Sequence, residues 1–357
     1  MAITSYGVND ALSNKIWAKT LTVEALKETY FNKFMGTSAS SMIHRKDELS
    51  KSTGDKITFA LRTQLSGDGR TENQTLEGFE EALTTYSDSL VINELMHAVR
   101  VKSENSIDAQ RVPFNMRAEA KDGLKDWFAN RFDTVMMNHL AGYTLVTDAR
   151  YNGNNAILAP STNRIVRSVG TDDASVQADA TKVFTLSLID KCREAAAVST
   201  PLIRPIKVDG DNMFCMFLHP FQVYDLRTST SIGQWLDIQK AAMAGGKIDT
   251  NAIFTGALGV YNNVVLHEST RVPNGISNAG AVQTNTRRAI FCGAQAGAVG
   301  WGQKYSGLES HYKWVEEMFD YERELGVSAQ TIWGLKKTRF NSEDFGTIVA
   351  TTYAAAH

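Results

Sequence analysis

Apolar and polar residues alternate in the early part of the chain in a way that predicts two β-strands. In residues 56–65 the apolar side chains Ile57, Phe59 and Leu61 occupy every second position, and a second strand-like run covers residues 86–101. The segment between them is polar and contains glycine, so the two strands are expected to form a long extension with an irregular tip. Because such an extension has no core of its own, it is expected to need a partner surface.

Residues 1–53 combine a short amphipathic stretch with a polar one. Apolar residues recur at helix-like intervals as far as Phe34, and small and polar residues follow them. This stretch has too little apolar surface to form a core. It is therefore predicted to be an arm that docks on another surface.

The clearest helix is predicted for residues 113–142. Apolar residues recur there every three or four positions and form one stripe, while charged residues such as Lys121 and Lys125 fall largely outside it. Pro113 suits a first helical turn, and Gly142 suits a helix terminus. At 1.5 Å per residue the helix would be roughly 45 Å long, which indicates a structural spine.

The remainder of the chain mixes helices and strands without a regular alternation of the two. Residues 143–182 are predicted to be rich in loops. The elements predicted after them are helices at 186–198 and 221–226 and strands at 212–218, 264–268, 289–292, 330–340 and 347–353. Since no βαβ rhythm is present, the pattern favours an α+β fold.

Charge and cysteine content argue against several classes of protein. The chain has 37 basic and 39 acidic residues and a net charge of −2, without the basic cluster that binds duplex DNA tightly. Cys192, Cys215 and Cys292 are far apart, so they are predicted to be small buried residues and not disulfide partners or zinc ligands. The sequence contains neither a membrane-spanning apolar run nor a signal peptide, so a cytoplasm-like compartment is expected.

Common catalytic motifs are missing from the sequence, which contains no phosphate loop, zinc helix, nucleophile elbow or kinase signature. The glycine-rich residues 293–302 have the wrong spacing for a dinucleotide fingerprint, and close packing of small residues explains them better. His139, His219 and His267 are dispersed, and the acids at 172–173 are interpreted as part of a solvated loop. We therefore expect no catalytic residue, cofactor or metal.

The order of these parts resembles that of the major capsid proteins of tailed bacteriophages, which have the Hong Kong 97 fold. Five stretches resemble more specifically the branch typified by coliphage N-four. They are residues 218–227 (LHPFQVYDLR), 254–273 (FTGALGVY running into VVLHESTRVP), 288–296 (RAIFCGAQA), 326–340 (GVSAQTIWGLKKTRF) and 344–349 (DFGTIV). The likeness covers residues 55–353, which is nearly the whole chain.

The resemblance implies a division of the chain into four parts. They are an N-terminal arm (1–53), an extended β-hairpin loop (54–103), a peripheral domain with the spine helix (104–190 and 305–340), and an axial domain that meets the five- and six-fold axes (191–304 and 341–357).

The resemblance also implies a function. The chain would be a major capsid protein that self-assembles as hexamers and pentamers into the icosahedral head enclosing the double-stranded DNA genome of a tailed phage. Its partners would be identical subunits, a portal protein, a cement protein where one is used, and DNA through weak non-specific contact. A separate scaffolding protein is implied because no self-cleaved scaffold region is visible. Assembly in the host bacterial cytoplasm, incorporation into the virion and no membrane contact are expected.

The tip of the extended loop is the predicted electrostatic contact between subunits. An extension that cannot fold alone is expected to meet complementary charges on an adjacent subunit. The loop residues concerned are Arg70 and the acids Asp68, Glu72, Glu77, Glu80 and Glu81. Their expected counterparts are basic residues of that subunit's spine helix, such as Lys121 or Lys125.

Two alternatives stay open at this point. One is an encapsulin-like nanocompartment shell protein, which shares the architecture, and the other is an enzyme whose active site is formed only in space and carries no motif. The five stretches quoted above favour the phage branch over the encapsulin. The oligomeric state distinguishes a shell from an enzyme, since fold analogy alone does not decide function.

Overall fold

The computed structural model describes residues 29–46, 54–62, 69–72, 74–83, 85–102, 107, 111, 115–208, 211–228, 257–302 and 311–356 of the 357-residue chain. The helix-like spacing predicted before residue 29, the first-turn position of Pro113 and the charge of Asp68 lie outside these residues.

Within the described residues, the regular elements are a few helices and many strands. The α-helices are α1 (Met116–Ala141), α2 (Asp173–Gln177), α3 (Leu186–Val198) and α4 (Pro220–Thr228). The strands are β1 (Met35–Gly36), β2 (Ile43–Lys46), β3 (Lys56–Arg62), β4 (Thr85–Val91), β5 (Asn93–Lys102), β6 (Ile165–Arg167), β7 (Ile206–Val208), β8 (Asp211–Leu218), β9 (Ala257–Tyr261), β10 (Val264–Glu268), β11 (Gly275–Ile276), β12 (Val282–Gln283), β13 (Thr286–Cys292), β14 (Gly297–Trp301), β15 (Tyr312–Phe319), β16 (Glu324–Lys337), β17 (Arg339–Phe340), β18 (Glu343–Asp344) and β19 (Thr347–Tyr353). Short 3-10 helices are formed by Tyr30–Phe34 and Thr162–Arg164. The predicted mixture of helices and strands is confirmed.

Helix α1 is the predicted spine helix, and both of its ends have a physical cause. At its start, Asn115 Oδ1 accepts hydrogen bonds from the backbone N–H groups of Arg117 and Ala118 at 2.9 and 3.1 Å, as an N-cap residue does. At its end, Gly142 adopts the left-handed conformation with φ 64°. A Cβ at Gly142 would lie 2.6 Å from Pro160 Cδ, so glycine is needed there, and the predicted terminus is confirmed.

The predicted two-stranded extension is only partly correct. Strands β3 and β4 form an antiparallel hairpin, but the run predicted at 86–101 is divided at Ile92, after which β5 pairs with β16. Ile92 is buried, and its N–H donates to the Asp55 carbonyl oxygen at 2.8 Å. The chain therefore passes from one sheet to the next at Ile92. The alternation of side chains continues across Ile92. For this reason the sequence predicted one strand where the structure has two strands with different partners.

A six-stranded sheet underlies the spine helix. Its order is β1-β2-β14-β16-β15, and β5 also pairs with β16. Phe132 and Leu140 of α1 share a buried core with Val299, Trp333 and Leu335 of the sheet. The long helix thus covers one face of this sheet, as amphipathic spacing requires.

The hairpin β3–β4 packs against the six-stranded sheet at Gly300. A Cβ added to Gly300 would lie 2.7 Å from Leu90 Cδ2 and 2.9 Å from Ile57 Cδ1. Leu90 and Ile57 are both buried, and with Ile92 they form a separate small core. The prediction that residues 293–302 serve close packing is confirmed at this position.

A seven-stranded sheet forms the other half of the structure. Its order is β6-β19-β13-β8-β10-β9, and β7 pairs with β8. In β8, Cys215 and Phe217 belong to the core shared with α1, whereas Phe214, Met216 and Leu218 belong to a second core with α3. Burial on both faces explains why this strand is apolar at almost every position.

Candidate inter-subunit surface

The loop between β3 and β4 is exposed at every described position from 69 to 83, and residues 69–83 are called the tip loop below. Two turns shape it, with the N–H of Gln74 bonded to the Thr71 carbonyl oxygen at 3.2 Å and the N–H of Phe79 bonded to the Leu76 carbonyl oxygen at 3.1 Å. These turns define its backbone, but no described side chain of the tip loop is buried. Its own chain therefore provides it with no core.

Large apolar side chains of the tip loop are also exposed. Leu76, Phe79 and Leu83 are 62%, 63% and 57% exposed, although burial of such side chains is favourable by about 1.5–3 kcal/mol each. The Arg70 guanidinium lies over the Phe79 ring, 3.6 Å from its centroid. The sequence prediction considered only the charges of this loop. The signal that it missed was the spacing of three apolar residues, three and four positions apart, inside a polar segment.

The predicted charged residues of the tip loop are all at its surface. Glu72, Glu77, Glu80 and Glu81 are exposed, and the Glu80 Oε2 accepts a hydrogen bond from the Gly78 N–H at 2.8 Å. With Arg70 as the basic residue among those described there, the tip loop is acidic. This confirms the exposure that an electrostatic contact requires, and the contact itself stays a prediction.

Lys121 and Lys125 lie one turn apart on α1, and both are partly buried. They flank Leu124, which is fully buried in the core beneath the helix. Their aliphatic stems are therefore closer to the apolar face than the sequence pattern suggested, because long basic side chains can cover apolar surface while their charged ends remain accessible. Their pairing with the tip loop of another copy also stays a prediction.

Buried histidines of the chain serve its packing. The His139 Nε2 lies 2.7 Å from the Asn152 carbonyl oxygen, and burial lowers the pKa of His139 to about 4. The His219 Nδ1 accepts a hydrogen bond from the Phe221 N–H at 3.2 Å, and burial lowers its pKa to about 4 as well. Both imidazoles are consequently neutral near pH 7, in agreement with their interpretation as packing or turn residues.

The three cysteines are reduced and buried, as predicted. Burial raises the pKa of the Cys192 and Cys215 thiols to about 12, so neither is a thiolate near pH 7. In the part of the chain that the structure describes, no three His, Cys, Asp or Glu side chains are grouped so that they could hold a metal ion. None of the described helices is both long and apolar enough to span a membrane.

Asp173 is buried, so the prediction that residues 172–173 belong to a solvated loop is wrong for it. Its carboxylate forms ion pairs with Arg167 at 2.8 Å and with Arg288 at 2.7 Å. It also accepts a hydrogen bond from the Ile276 N–H at 3.0 Å. A buried charge needs partners of this kind, and Arg288 lies 115 positions away along the chain. The pairing of Asp173 with Arg288 could therefore not be predicted from a local sequence pattern.

The described end of the N-terminal arm docks on its own chain. The Asp133 carboxylate of α1 accepts hydrogen bonds from the backbone N–H groups of Tyr30 at 2.9 Å and Phe31 at 3.3 Å. Phe31 and Phe34 are buried in the core beneath α1. Burial raises the pKa of Asp133 to about 6, against the opposing effect of the two N–H groups and Arg271. For these residues, the surface on which the arm docks is therefore intramolecular.

Comparison with known proteins finds similarity along nearly the whole chain. A family model described as phage capsid protein matches residues 5–356. The chain is 29% identical over 371 residues to the major capsid protein of Pseudomonas phage KPP25, with 96% of this chain and 94% of that protein covered. The solved capsid of Ralstonia phage GP4 is 31% identical, with a TM-score of 0.79 and 99% of each chain covered. The capsid of Cyanophage Pam1 is 19% identical, with a TM-score of 0.71 and 93% and 94% covered, and it shares the fold.

Proposed function

This chain belongs to the phage capsid protein family, and we propose that identical copies of it assemble as hexamers and pentamers into the icosahedral head of a tailed phage around double-stranded DNA. The protein is a major capsid protein, a structural component of the virion and not an enzyme. Membership of this family favours the capsid over the encapsulin-like and enzymatic alternatives.

The tip loop is the observation that carries the assembly proposal. It is exposed throughout its described residues and presents Leu76, Phe79 and Leu83 to solvent. Exposed apolar groups of this size on a polar extension are typical of an interaction surface. In a shell of identical subunits, a second copy is the partner that every loop would meet.

The charges of the tip loop support the same arrangement. We propose that Glu72, Glu77, Glu80 and Glu81 face basic residues of an adjacent subunit, with Lys121 and Lys125 as the expected counterparts and Arg70 as the basic group on the loop side. Each exposed ion pair contributes only about 0.2–1 kcal/mol. A closed shell repeats each contact many times, so a small change per contact would alter assembly strongly.

The domain division is also a proposal. Residues 1–53 would be the arm and 54–103 the extended loop, with the peripheral domain at 104–190 and 305–340 and the axial domain at 191–304 and 341–357. Helix α1 with β15 and β16 would belong to the peripheral domain, and most strands of the seven-stranded sheet to the axial domain. Strand β14 pairs with β16, and β6 pairs with β19, so both strands connect the two domains across these boundaries.

We propose that the shared architecture is the Hong Kong 97 fold in the branch typified by coliphage N-four. A separate scaffolding protein, a portal protein and, where one is used, a cement protein would complete the head, which would be assembled in the host cytoplasm. The net charge of −2 fits a wall that touches DNA only weakly and non-specifically.

Negative-stain electron microscopy of the purified chain, alone and with the scaffolding protein of its phage, tests the proposal. We expect shells, tubes, sheets or isolated capsomers, because the tip loop gains a core only from a neighbour. A chain that stays strictly monomeric at high concentration under both conditions contradicts the assembly proposal.

A further inference from the structure

A cavity of about 480 Å³ lies where the segment after α1 meets the β11–β12 hairpin. Small-ligand sites in proteins have volumes of roughly 300–1,000 Å³. The polar side chains that line this cavity are Thr144, Thr162, Thr171, Ser277, Asn278, Arg167 and Arg288. Among the described residues that line it, none is Asp, Glu or aromatic. The cavity, called the arginine cavity below, therefore presents hydroxyl and guanidinium groups to a ligand.

The two arginines of the arginine cavity share one buried carboxylate. Asp173 Oδ2 accepts hydrogen bonds from Arg288 Nε at 2.8 Å and Nη2 at 2.7 Å, and Asp173 Oδ1 accepts one from Arg167 Nε at 2.8 Å. Two positive charges thus meet one negative charge, so one positive charge beside the cavity is left over. A charge that is largely withdrawn from water needs an opposite charge, and this favours an anionic ligand.

Arg288 and Arg167 differ in how many of their N–H groups are already bonded. Arg288 is 4% exposed, and it also donates from Nη1 to the Gly142 carbonyl oxygen and from Nη2 to the Ile276 carbonyl oxygen, both at 3.1 Å. Arg167 pairs with Asp173 through Nε, and among the described residues no acceptor is bonded to its Nη1 or Nη2. The ion pair therefore orients the Arg167 guanidinium and leaves its two terminal nitrogens available to a ligand in the cavity.

An oxyanion is the ligand group that fits these nitrogens, because a guanidinium can bind two oxygens of one phosphate or carboxylate through two parallel N–H groups. Hydroxyl groups of the lining can bond the remaining atoms of the ligand. The Ser277 Oγ accepts a hydrogen bond from the Ala281 N–H at 3.1 Å, and its own proton is left to donate. A phosphate monoester has a third free oxygen, so it would use this set of donors more fully than a carboxylate.

The neutral part of the ligand is also constrained by the lining. With no aromatic side chain among the described lining residues, the cavity offers a nucleobase no ring on which to stack. Thr144, Thr162, Thr171 and Asn278 instead offer hydroxyl and amide groups, which bond hydroxyl groups of a ligand. The lining therefore favours a ligand such as a sugar or another polyol.

We propose that the arginine cavity binds a small phosphate monoester that also carries hydroxyl groups, such as a sugar phosphate, with Arg167 as the residue that binds the phosphate. The ligand would connect the segment after α1 to the β11–β12 hairpin. It would stabilise the chain because it binds the folded form and not the unfolded form. The residues of this site are separate from the tip loop, so the inference does not rest on the proposed shell function.

Isothermal titration calorimetry on the purified full-length chain tests the site, with ribose 5-phosphate, inorganic phosphate and ribose as probes at constant ionic strength. We expect ribose 5-phosphate to bind saturably and more tightly than inorganic phosphate, because only the sugar phosphate reaches the hydroxyl groups as well as Arg167. Ribose should give no measurable binding, since it lacks the charge. The absence of saturable binding of ribose 5-phosphate overturns the proposal.

Two substitutions should change the affinity for ribose 5-phosphate in opposite directions. Arg167→Gln should weaken binding by about tenfold or more, because it removes charge-assisted hydrogen bonds. Asp172 is partly buried, and its Oδ1 accepts a hydrogen bond from the Asn278 N–H at 2.9 Å. Asp172→Asn keeps an oxygen for that bond and removes a negative charge beside the cavity, so it should tighten binding by about two- to fivefold. Unchanged affinity in both variants overturns the assignment.

A matched control and a second route to the same answer complete the test. Arg150→Gln removes an arginine that also pairs with an aspartate, Asp148 at 2.5 Å, but lies outside the cavity, and it should leave the affinity unchanged. Where Arg167→Gln fails to fold, Ala159→Glu replaces it. Ala159 is exposed and lines the cavity, so a glutamate there should bind Arg167 and abolish ligand binding without a change in circular dichroism. Undiminished binding of ribose 5-phosphate to folded Ala159→Glu contradicts the proposed site.

Discussion

In the seven-stranded sheet region, Asp173 and Arg288 are buried and bonded to each other, whereas the charged residues of the tip loop are exposed at every described position. The apolar residues of the two regions differ in the same way. Phe217 and Phe291 of the sheet are fully buried, and Phe79 of the tip loop is 63% exposed. The charged and aromatic groups of the sheet region are buried against their own chain, and those of the tip loop are accessible to a second copy.

Buried groups of this molecule therefore stabilise the subunit, and exposed groups of the tip loop are available for assembly. Loss of a buried partner leaves an uncompensated charge in a medium of low polarity, so it should unfold the subunit. Loss of an exposed group on the tip loop removes only surface contacts, such as the Glu80–Gly78 hydrogen bond, and should change the stability of the subunit little. Changes in the two regions should therefore separate cleanly into effects on folding and effects on assembly.

The largest effect is expected from Asp173→Ala. This change removes the carboxylate that pairs with Arg167 and Arg288. Breaking a buried ion pair in this way costs about 3–5 kcal/mol of the free energy of unfolding. Denaturant unfolding followed by circular dichroism measures the loss. As a control, Lys182→Ala removes the exposed pair with Asp179, whose N–O distance is 4.0 Å, and should cost less than about 1 kcal/mol. Equal losses in the two variants would contradict the comparison.

An intermediate effect on stability is expected when a change of pH alters the protonation of Asp133. Its folded-state pKa of about 6 exceeds the ordinary value of 3.8, so the folded chain holds this proton more tightly than the unfolded chain does. The resulting stability is fully present below about pH 4 and is lost as the pH rises through 6. At about 1.4 kcal/mol for each pH unit between the two pKa values, the loss is on the order of 2–3 kcal/mol.

The pH effect of Asp133 must be separated from that of His139. Burial lowers the pKa of His139 from 6.5 to about 4, so its contribution has the opposite sign and is lost as the pH falls from 6.5 towards 4. The measurement is therefore the unfolding free energy of the unaltered chain minus that of Asp133→Asn between pH 4 and pH 7.5. We expect this difference to fall as the pH rises, and a flat difference would show that Asp133 ionises normally.

The smallest effect on stability is expected from the double change Glu80→Lys and Glu81→Lys. Both side chains are exposed, so the unfolding free energy should change by less than about 0.5 kcal/mol. Shell closure should nevertheless be impaired, with a dependence on salt concentration, because the loop would then repel basic residues of its neighbour.

The matched control for the loop charges is Glu194→Lys with Asp211→Lys. These residues are also exposed, and the substitution changes the net charge by the same amount at a place outside the tip loop. Normal assembly of this control and poor assembly of the loop variant would show that the defect comes from the charges of the tip loop. If the loop variant closes shells normally across a range of salt concentrations, its contact acts through shape or stacking and not through charge.

The candidate surface was predictable in part. A polar, glycine-bearing segment between two strands indicated an extension with an irregular tip, and Arg70, Glu72, Glu77, Glu80 and Glu81 are exposed there. Their contact with a second copy stays a prediction. The stacking of Arg70 on Phe79 and of His97 on Trp127 was not predicted. His97 belongs to β5 and Trp127 to α1, and a stack between two elements has no signature in either segment alone.

Several local elements and the family could be predicted from the amino-acid pattern alone. Helix α3 spans the predicted 186–198 and β19 the predicted 347–353, because periodicity and terminating residues act within a few positions of each other. The folded chain was needed to show that β16 begins at Glu324, ahead of the predicted 330, that β5 is its partner, and that Asp173 is buried. The β5–β16 pairing and the Asp173–Arg288 ion pair join residues more than a hundred positions apart, and a local sequence pattern cannot indicate a contact between such distant residues.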